Sequence, residues 1–136
     1  MLAAFIAGTR AEVILPHTGS LRQDLLAIGA QFYEHARRHT PTMRAVLNEV
    51  ARSPALADAF RREVTDRHRL LMMEVLYDAV KRGEIQSQAI NSETWDVLPG
   101  YLVFRSLLPN EPPALDTVRT LVDEVVLPSL TRRTDD

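Results

Sequence analysis

Apolar positions recur along most of this chain at spacings of three and four, the period of one face of an α-helix. Leu2, Phe5, Ile6, Thr9 and Val13 form the first such stripe, and Pro16 and Gly19 end it. Ser20 and Gln23 stand in capping-box order, so a second helix is expected to start there. Its face is Leu21, Leu25, Ile28, Gly29, Phe32 and Ala36. Arg37, Arg38 and His39 fall in its last turn, where cations complement the helix dipole. Gly29, inside the stripe, costs about 1 kcal/mol against alanine, which predicts close approach of another helix at that point.

Two further starts are marked by a hydroxyl residue before a proline, Thr40-Pro41 and Ser53-Pro54, the order of a cap followed by proline at the first helical position. The first predicts a short helix with Met43, Val46, Leu47 and Val50 on one side. The second predicts the longest helix, from Pro54 to Arg82, closed by Gly83. Its main stripe is Leu56, Phe60, Val64, Leu71, Val75 and Ala79. A second stripe of Leu70, Met73 and Tyr77 makes its latter half apolar on opposite faces, which predicts burial between layers at the centre of a bundle. Beyond a connector, Asn91 or Ser92 is expected to cap a helix carrying Trp95, Leu98, Tyr101, Leu102, Phe104 and Leu108. Pro99 lies within that pattern. A kink there is expected, because the apolar period continues in phase across it; a Pro99-Gly100 turn between two short helices is the rival. Pro109, Pro112 and Pro113 break the chain again. A last helix runs from about Leu115 through Val118, Leu121, Val122, Val125 and Val126 to Leu130, and residues 131–136 form a polar tail. No strand-like alternation occurs. The pattern predicts an all-α antiparallel bundle of about seven helices, with residues 1–130 as a single domain.

Composition narrows what such a bundle does. The 136 residues carry 16 Lys plus Arg against 18 Asp plus Glu, a net charge of −2. Domains that hold nucleic acid by bulk charge are usually strongly basic, so this balance argues against DNA contact by the chain itself. Without cysteine there is no disulfide framework, thiolate zinc site or cysteine nucleophile. No apolar run approaches the roughly 20 residues of a membrane span. Leu2 to Ala7 is too short, and lacks the positive flank, for a signal peptide. No Gly-x-Ser-x-Gly elbow, phosphate loop or His-Glu-x-x-His occurs. No enzyme activity, cofactor or metal is expected. His35 and His39 have the i, i+4 spacing of a metal pair. Arg37 and Arg38 oppose a cation there, and only Glu34 stands near to complete a ligand set, so a solvated helix end is the better reading. Arg61, Arg62, Arg67 and Arg69 are interleaved by Glu63 and Asp66, which reads as a solvated face with local ion pairs. His68 points with the long helix's apolar stripe, about 40° from Val64 and about 20° from Val75 at roughly 100° per residue; a core or edge histidine satisfied by a neighbouring carbonyl is the plain alternative to a role in a site.

The order of these features resembles the C-terminal ligand-binding and dimerisation domain of TetR-family transcriptional regulators. Residues 16–25, Pro-His-Thr-Gly-Ser-Leu-Arg-Gln-Asp-Leu, look like the passage from that family's connecting helix into its first core helix. The helix end Ala79-Val80-Lys81-Arg82-Gly83-Glu84-Ile85 is similar to the end of the family's central helix. Residues 95–105, Trp-Asp-Val-Leu-Pro-Gly-Tyr-Leu-Val-Phe-Arg, resemble the first dimerisation helix, and Leu121-Val122-Asp123 the second.

The resemblance carries expectations of its own. It implies a cytoplasmic bacterial protein with a pocket for a small apolar or aromatic effector, walled by Phe5 and Thr9, by Phe32, Met43 and Leu47, by Val64, His68, Leu71 and Met72, and by Trp95 and Pro99. It implies a homodimer through the last two long helices, using Tyr101, Leu102, Arg105 and Leu108 from one and Val118, Leu121, Val122, Val125 and Ser129 from the other. Arg105 is expected to pair with Asp123 or Glu124 across that dimer. Residues 1–15 match the helix that leads to the family's helix-turn-helix head. The head itself, through which DNA would be read, has no counterpart in this sequence. A different class of function stays open beside this one, a helical dimeric interaction module with no small-molecule site.

Overall fold

The computed structural model describes residues 14–132, so the expected helix over residues 2–13 lies outside the described part. Among the described residues every regular element is helical. The helices are α1 (Leu21–Val50), α2 (Pro54–Phe60), α3 (Asp66–Lys81), α4 (Val97–Ser106), α5 (Leu115–Leu121) and α6 (Leu127–Thr131). One turn of π-helix, Arg61–Thr65, joins α2 to α3, and another, Val122–Val126, joins α5 to α6. The result is four continuous rods, fewer than the number of separate helices expected.

The expected break at Thr40-Pro41 is where the count changes. α1 runs through it with a kink, His39 taking φ −122° and ψ 21°. The Thr40 hydroxyl does not cap a new helix. It donates back to the Ala36 carbonyl at 2.6 Å, in the part of the helix that Pro41, lacking an N–H, leaves open. The other punctuation behaves as its chemistry dictates. Ser20 accepts the Gln23 N–H and Ser53 accepts the Leu56 N–H. Gly83 takes φ +81°, and the Glu84 N–H reaches the Ala79 carbonyl while the Gly83 N–H reaches Val80, the bond pattern of a glycine-terminated helix. Pro99 produces no kink. Asn91 caps only a turn, accepting from the Glu93 and Thr94 N–H groups. α4 begins at Val97, which puts Pro99 in the first turn, where no N–H is required.

The two π turns answer a spacing in the sequence. Val118, Val122, Val126 and Leu130 stand four apart, yet are only 2, 0, 3 and 1% exposed. In a straight α-helix a run of fours drifts by about 40° per step and would carry Leu130 out of the core. A π turn holds the extra residue and keeps the set on one face. Leu56, Phe60, Val64 and His68 repeat the same spacing across Arg61–Thr65.

The main core joins α1 to the other rods through Leu25, Ile28, Met72, Leu76, Leu98 and Val122, among others. Gly29 sits where α1 meets α5 and α4: a Cβ there would lie 2.5 Å from Val118 Cγ1 and 3.5 Å from Leu98. A smaller cluster of Ala36, Met43, Val46 and Val64 lies farther along α1. The second stripe of α3 is not sandwiched between layers as expected, since Leu70 and Tyr77 are exposed. Paired charges tie the rods at their edges. Arg22 of α1 grips Asp123 through both oxygens, at 2.7 and 3.0 Å. Glu84 accepts the Leu21 N–H at the start of α1, where a negative charge suits the dipole. No described helix is long and apolar enough to cross a membrane.

Candidate ligand-binding site

Between the two core clusters the rods part around a cavity of about 340 Å³. α1 contributes Phe32, His35, Ala36, Met43 and Leu47. The π turn and its flanks contribute Phe60, Val64, Thr65 and His68. The start of α4 contributes Asp96, Pro99, Gly100, Leu102 and Val103. The kink at His39 turns the two halves of α1 so that both face this space. The π turn brings Phe60, Val64 and His68 to a single wall.

The structure thus gathers Phe32, Met43, Leu47, Val64, His68 and Pro99 from the expected pocket. Phe5 and Thr9 lie outside the described residues. Leu71, Met72 and Trp95 do not reach the cavity: Met72 is fully buried in the main core, and Leu71 and Trp95 pack against that core. For Leu71 and Met72 the reason is the turn after His68, which carries them from the cavity wall toward Leu76 and Val75. Trp95 precedes the helix instead of lying within it, so its ring leaves the face that Pro99 presents. Sequence reasoning missed His35, Ala36, Phe60, Thr65, Asp96 and the α4 residues Gly100, Leu102 and Val103, Leu102 having been assigned to the dimer face. The four-residue spacing of Phe60, Val64 and His68 was the available signal.

His68 is the polar feature of the wall. Its ring lies 4.6 Å from that of Phe32, tilted by 46°. Its Nε2 is buried without a hydrogen-bond partner. Burial pushes its pKa down to about 4, helped by the positive fields of His35 and Arg67, so the ring is neutral near pH 7. Asp96, also on the wall, has both oxygens taken by Arg69 of α3, at 2.9 and 2.6 Å. That guanidinium holds its carboxyl below the usual carboxylate range. The remaining lining is almost entirely apolar, with a few fixed polar groups, the make-up of a small-molecule site. His35 and His39 stack at 4.6 Å, and no group of three or more metal-binding side chains exists among the described residues.

The expected dimer residues divide. Leu102, Val118, Leu121 and Val122 are buried within the protomer, because they face α1 and the rest of the core. Tyr101, Val125 and Ser129 lie exposed, while Arg105 and Leu108 are partly covered. Phe104, 57% exposed, belongs to the same outer face of α4 and was not among the expected set. Arg105 is engaged within its own chain, donating to the Glu111 carbonyl and the Tyr101 hydroxyl. Within the protomer Asp123 holds Arg22.

The described residues thus form a helical bundle with an apolar cavity between rods and an outward apolar face on α4. Comparison with known proteins agrees: residues 15–125 match the family described as tetracyclin repressor-like, C-terminal domain. The chain is 52% identical over 134 residues to HTH-type transcriptional regulators, themselves uncharacterized, from Mycobacterium bovis and two strains of Mycobacterium tuberculosis. The match covers 98% of this chain and 66% of each relative, so the chain spans just under two thirds of their length. No solved structure gives a significant match. The chain belongs to the TetR family, matching its C-terminal domain.

Proposed function

We propose that this domain senses a small apolar or aromatic effector in the cavity, pairs with a second copy through α4 and the last rod, and in the whole regulator couples occupancy to DNA binding. The observation that carries the reading is the cavity itself: about 340 Å³ of largely apolar space between three rods, concave and of the size and make-up of a small-molecule site. Tyr101, Phe104 and Val125 supply the outward apolar face for pairing. An effector acts only if it binds one arrangement of the rods better than another.

A ligand panel followed by thermal shift, with Trp95 fluorescence as a second readout, tests the sensing. Val103→Phe, which fills the cavity from α4, is expected to weaken binding at least tenfold while leaving the helical circular dichroism unchanged. A panel in which nothing binds, or equal binding by the filled variant, defeats the reading. A dimeric interaction module without a small-molecule site would give that flat panel.

A further inference from the structure

We propose that the Arg69–Asp96 ion pair is a strap across the mouth of the cavity, which must open to let a molecule in or out. This rests on the reading of the cavity as a binding site and adds how access to it is controlled.

Two short stretches of chain frame the mouth. Asp96 and Gly100 line the cavity one helical turn apart at the start of α4, the Gly100 N–H donating to the Asp96 carbonyl at 2.8 Å. Gly100 is exposed, and a Cβ on it would meet nothing within 4 Å, so the cavity reaches solvent beside it. On the facing rod Thr65 lines the cavity, and Arg69 stands one turn farther along. Its guanidinium spans the gap and meets both Asp96 oxygens, at 2.9 and 2.6 Å, joining stretches that lie 27 residues apart in sequence. The two side chains are 38% and 45% exposed, as partners at a rim are and partners in a core are not.

The strength of the pair suits a strap. Water competes for both charges, so an ion pair open to solvent favours its closed form by about fivefold at most. Arg69 holds the Asp96 carboxyl below the usual carboxylate range, which keeps the strap charged near neutral pH. Opening it turns both charges to water and strands neither in apolar surroundings. The strap therefore closes the mouth most of the time and releases without unfolding the rods.

The test measures rates. N-phenyl-1-naphthylamine, a neutral dye that brightens in apolar surroundings, is mixed with the full chain by stopped flow. Arg69→Gln and Asp96→Asn are each expected to raise the association and dissociation rate constants together, by about fivefold, and to leave their ratio unchanged. The chain has no cysteine of its own, so the double variant Arg69→Cys, Asp96→Cys can be bridged by a reducible bis-maleimide. The bridge should slow both steps below those of the parent, and cutting it with reductant should bring back fast exchange. Val103→Phe, which fills the cavity, should abolish the signal. If rates are unchanged in the variants, or the bridged chain exchanges as fast as the parent, the strap is wrong and the cavity stands. A change in only one of the two rates makes the pair a ligand contact and also overturns the strap. If the dye does not bind, or binds Val103→Phe equally well, the cavity reading and the strap fall together.

Discussion

Gly29→Ala sets two well-sized effects against each other. Alanine is the better helix former by about 1 kcal/mol, so on propensity alone the substitution stabilises α1. Its Cβ, however, would lie 2.5 Å from Val118 Cγ1, where carbon atoms in contact sit about 3.5–4.0 Å apart. Relief requires a movement of roughly 1 Å. Val118 cannot swing away cheaply, because a β-branched side chain in a helix has one strongly preferred rotamer, and this one is 2% exposed. Overpacking of this kind costs typically about 1–3 kcal/mol. The clash wins, and Gly29→Ala is expected to destabilise by about 1 kcal/mol, lowering the melting temperature by about 4 °C in a domain of this size. Urea unfolding followed by circular dichroism measures it, and Val118→Ala completes a cycle. With the valine methyls gone, Gly29→Ala should stabilise by about the propensity difference, giving a coupling near 2 kcal/mol. A single variant more stable than the parent, or a coupling below about 0.5 kcal/mol, would refute the packing argument.

Further outcomes rest on the same structure. His68 has a folded pKa of about 4 against 6.5 unfolded, so its contribution is whole above pH 6.5 and is lost as pH falls toward 4, by about 3 kcal/mol at most. Urea midpoints of the parent should therefore drop more steeply between pH 6.5 and 4.5 than those of His68→Phe, and parallel curves would contradict the burial. Phe104→Glu should leave the helical circular dichroism unchanged, its side chain being exposed in the protomer, yet shift sedimentation to monomer. Leu102→Glu, on the buried side of the same helix, should prevent folding. Ser53→Ala removes the cap of α2 and should cost about 1 kcal/mol by urea unfolding, a loss that glycine at the same position largely avoids.

Much of this fold was legible because its signals are local. Ser20, Ser53 and Gly83 act through backbone groups within a few residues, and each ends or starts a helix where its chemistry says. Gly29 was legible as a close approach but not as to its partner, since Val118 is brought there only by tertiary packing. The misreadings arose where a proline was given a single meaning. Pro41 does not start a helix, because the Thr40 hydroxyl bonds backward to Ala36, and Pro99 bends nothing, because α4 starts only at Val97. In the site, Phe32, Met43, Val64 and His68 lay on or beside apolar stripes, but it was the family resemblance that assigned them to a pocket wall. Leu71 and Met72 were not separable from them, since periodicity marks an apolar face without saying whether core or cavity lies against it. The π turns were encoded in the four-residue spacings, which a search for the 3.6 period passes over.

α4 has two occupied sides. Leu102 and Val103 border the cavity, and Tyr101 and Phe104, about half a turn away, point outward. A ten-residue helix cannot roll on one side without rolling on the other. In the proposed pairing, a ligand that rotates it to enlarge the cavity therefore changes the angle at which a second chain meets Phe104. Linkage makes this reciprocal. If filling the cavity alters self-association by some factor, doubling or diluting the protein must move the ligand's apparent affinity in the matching direction, so a titration repeated at several chain concentrations reads the communication between the two sides without any DNA in the tube.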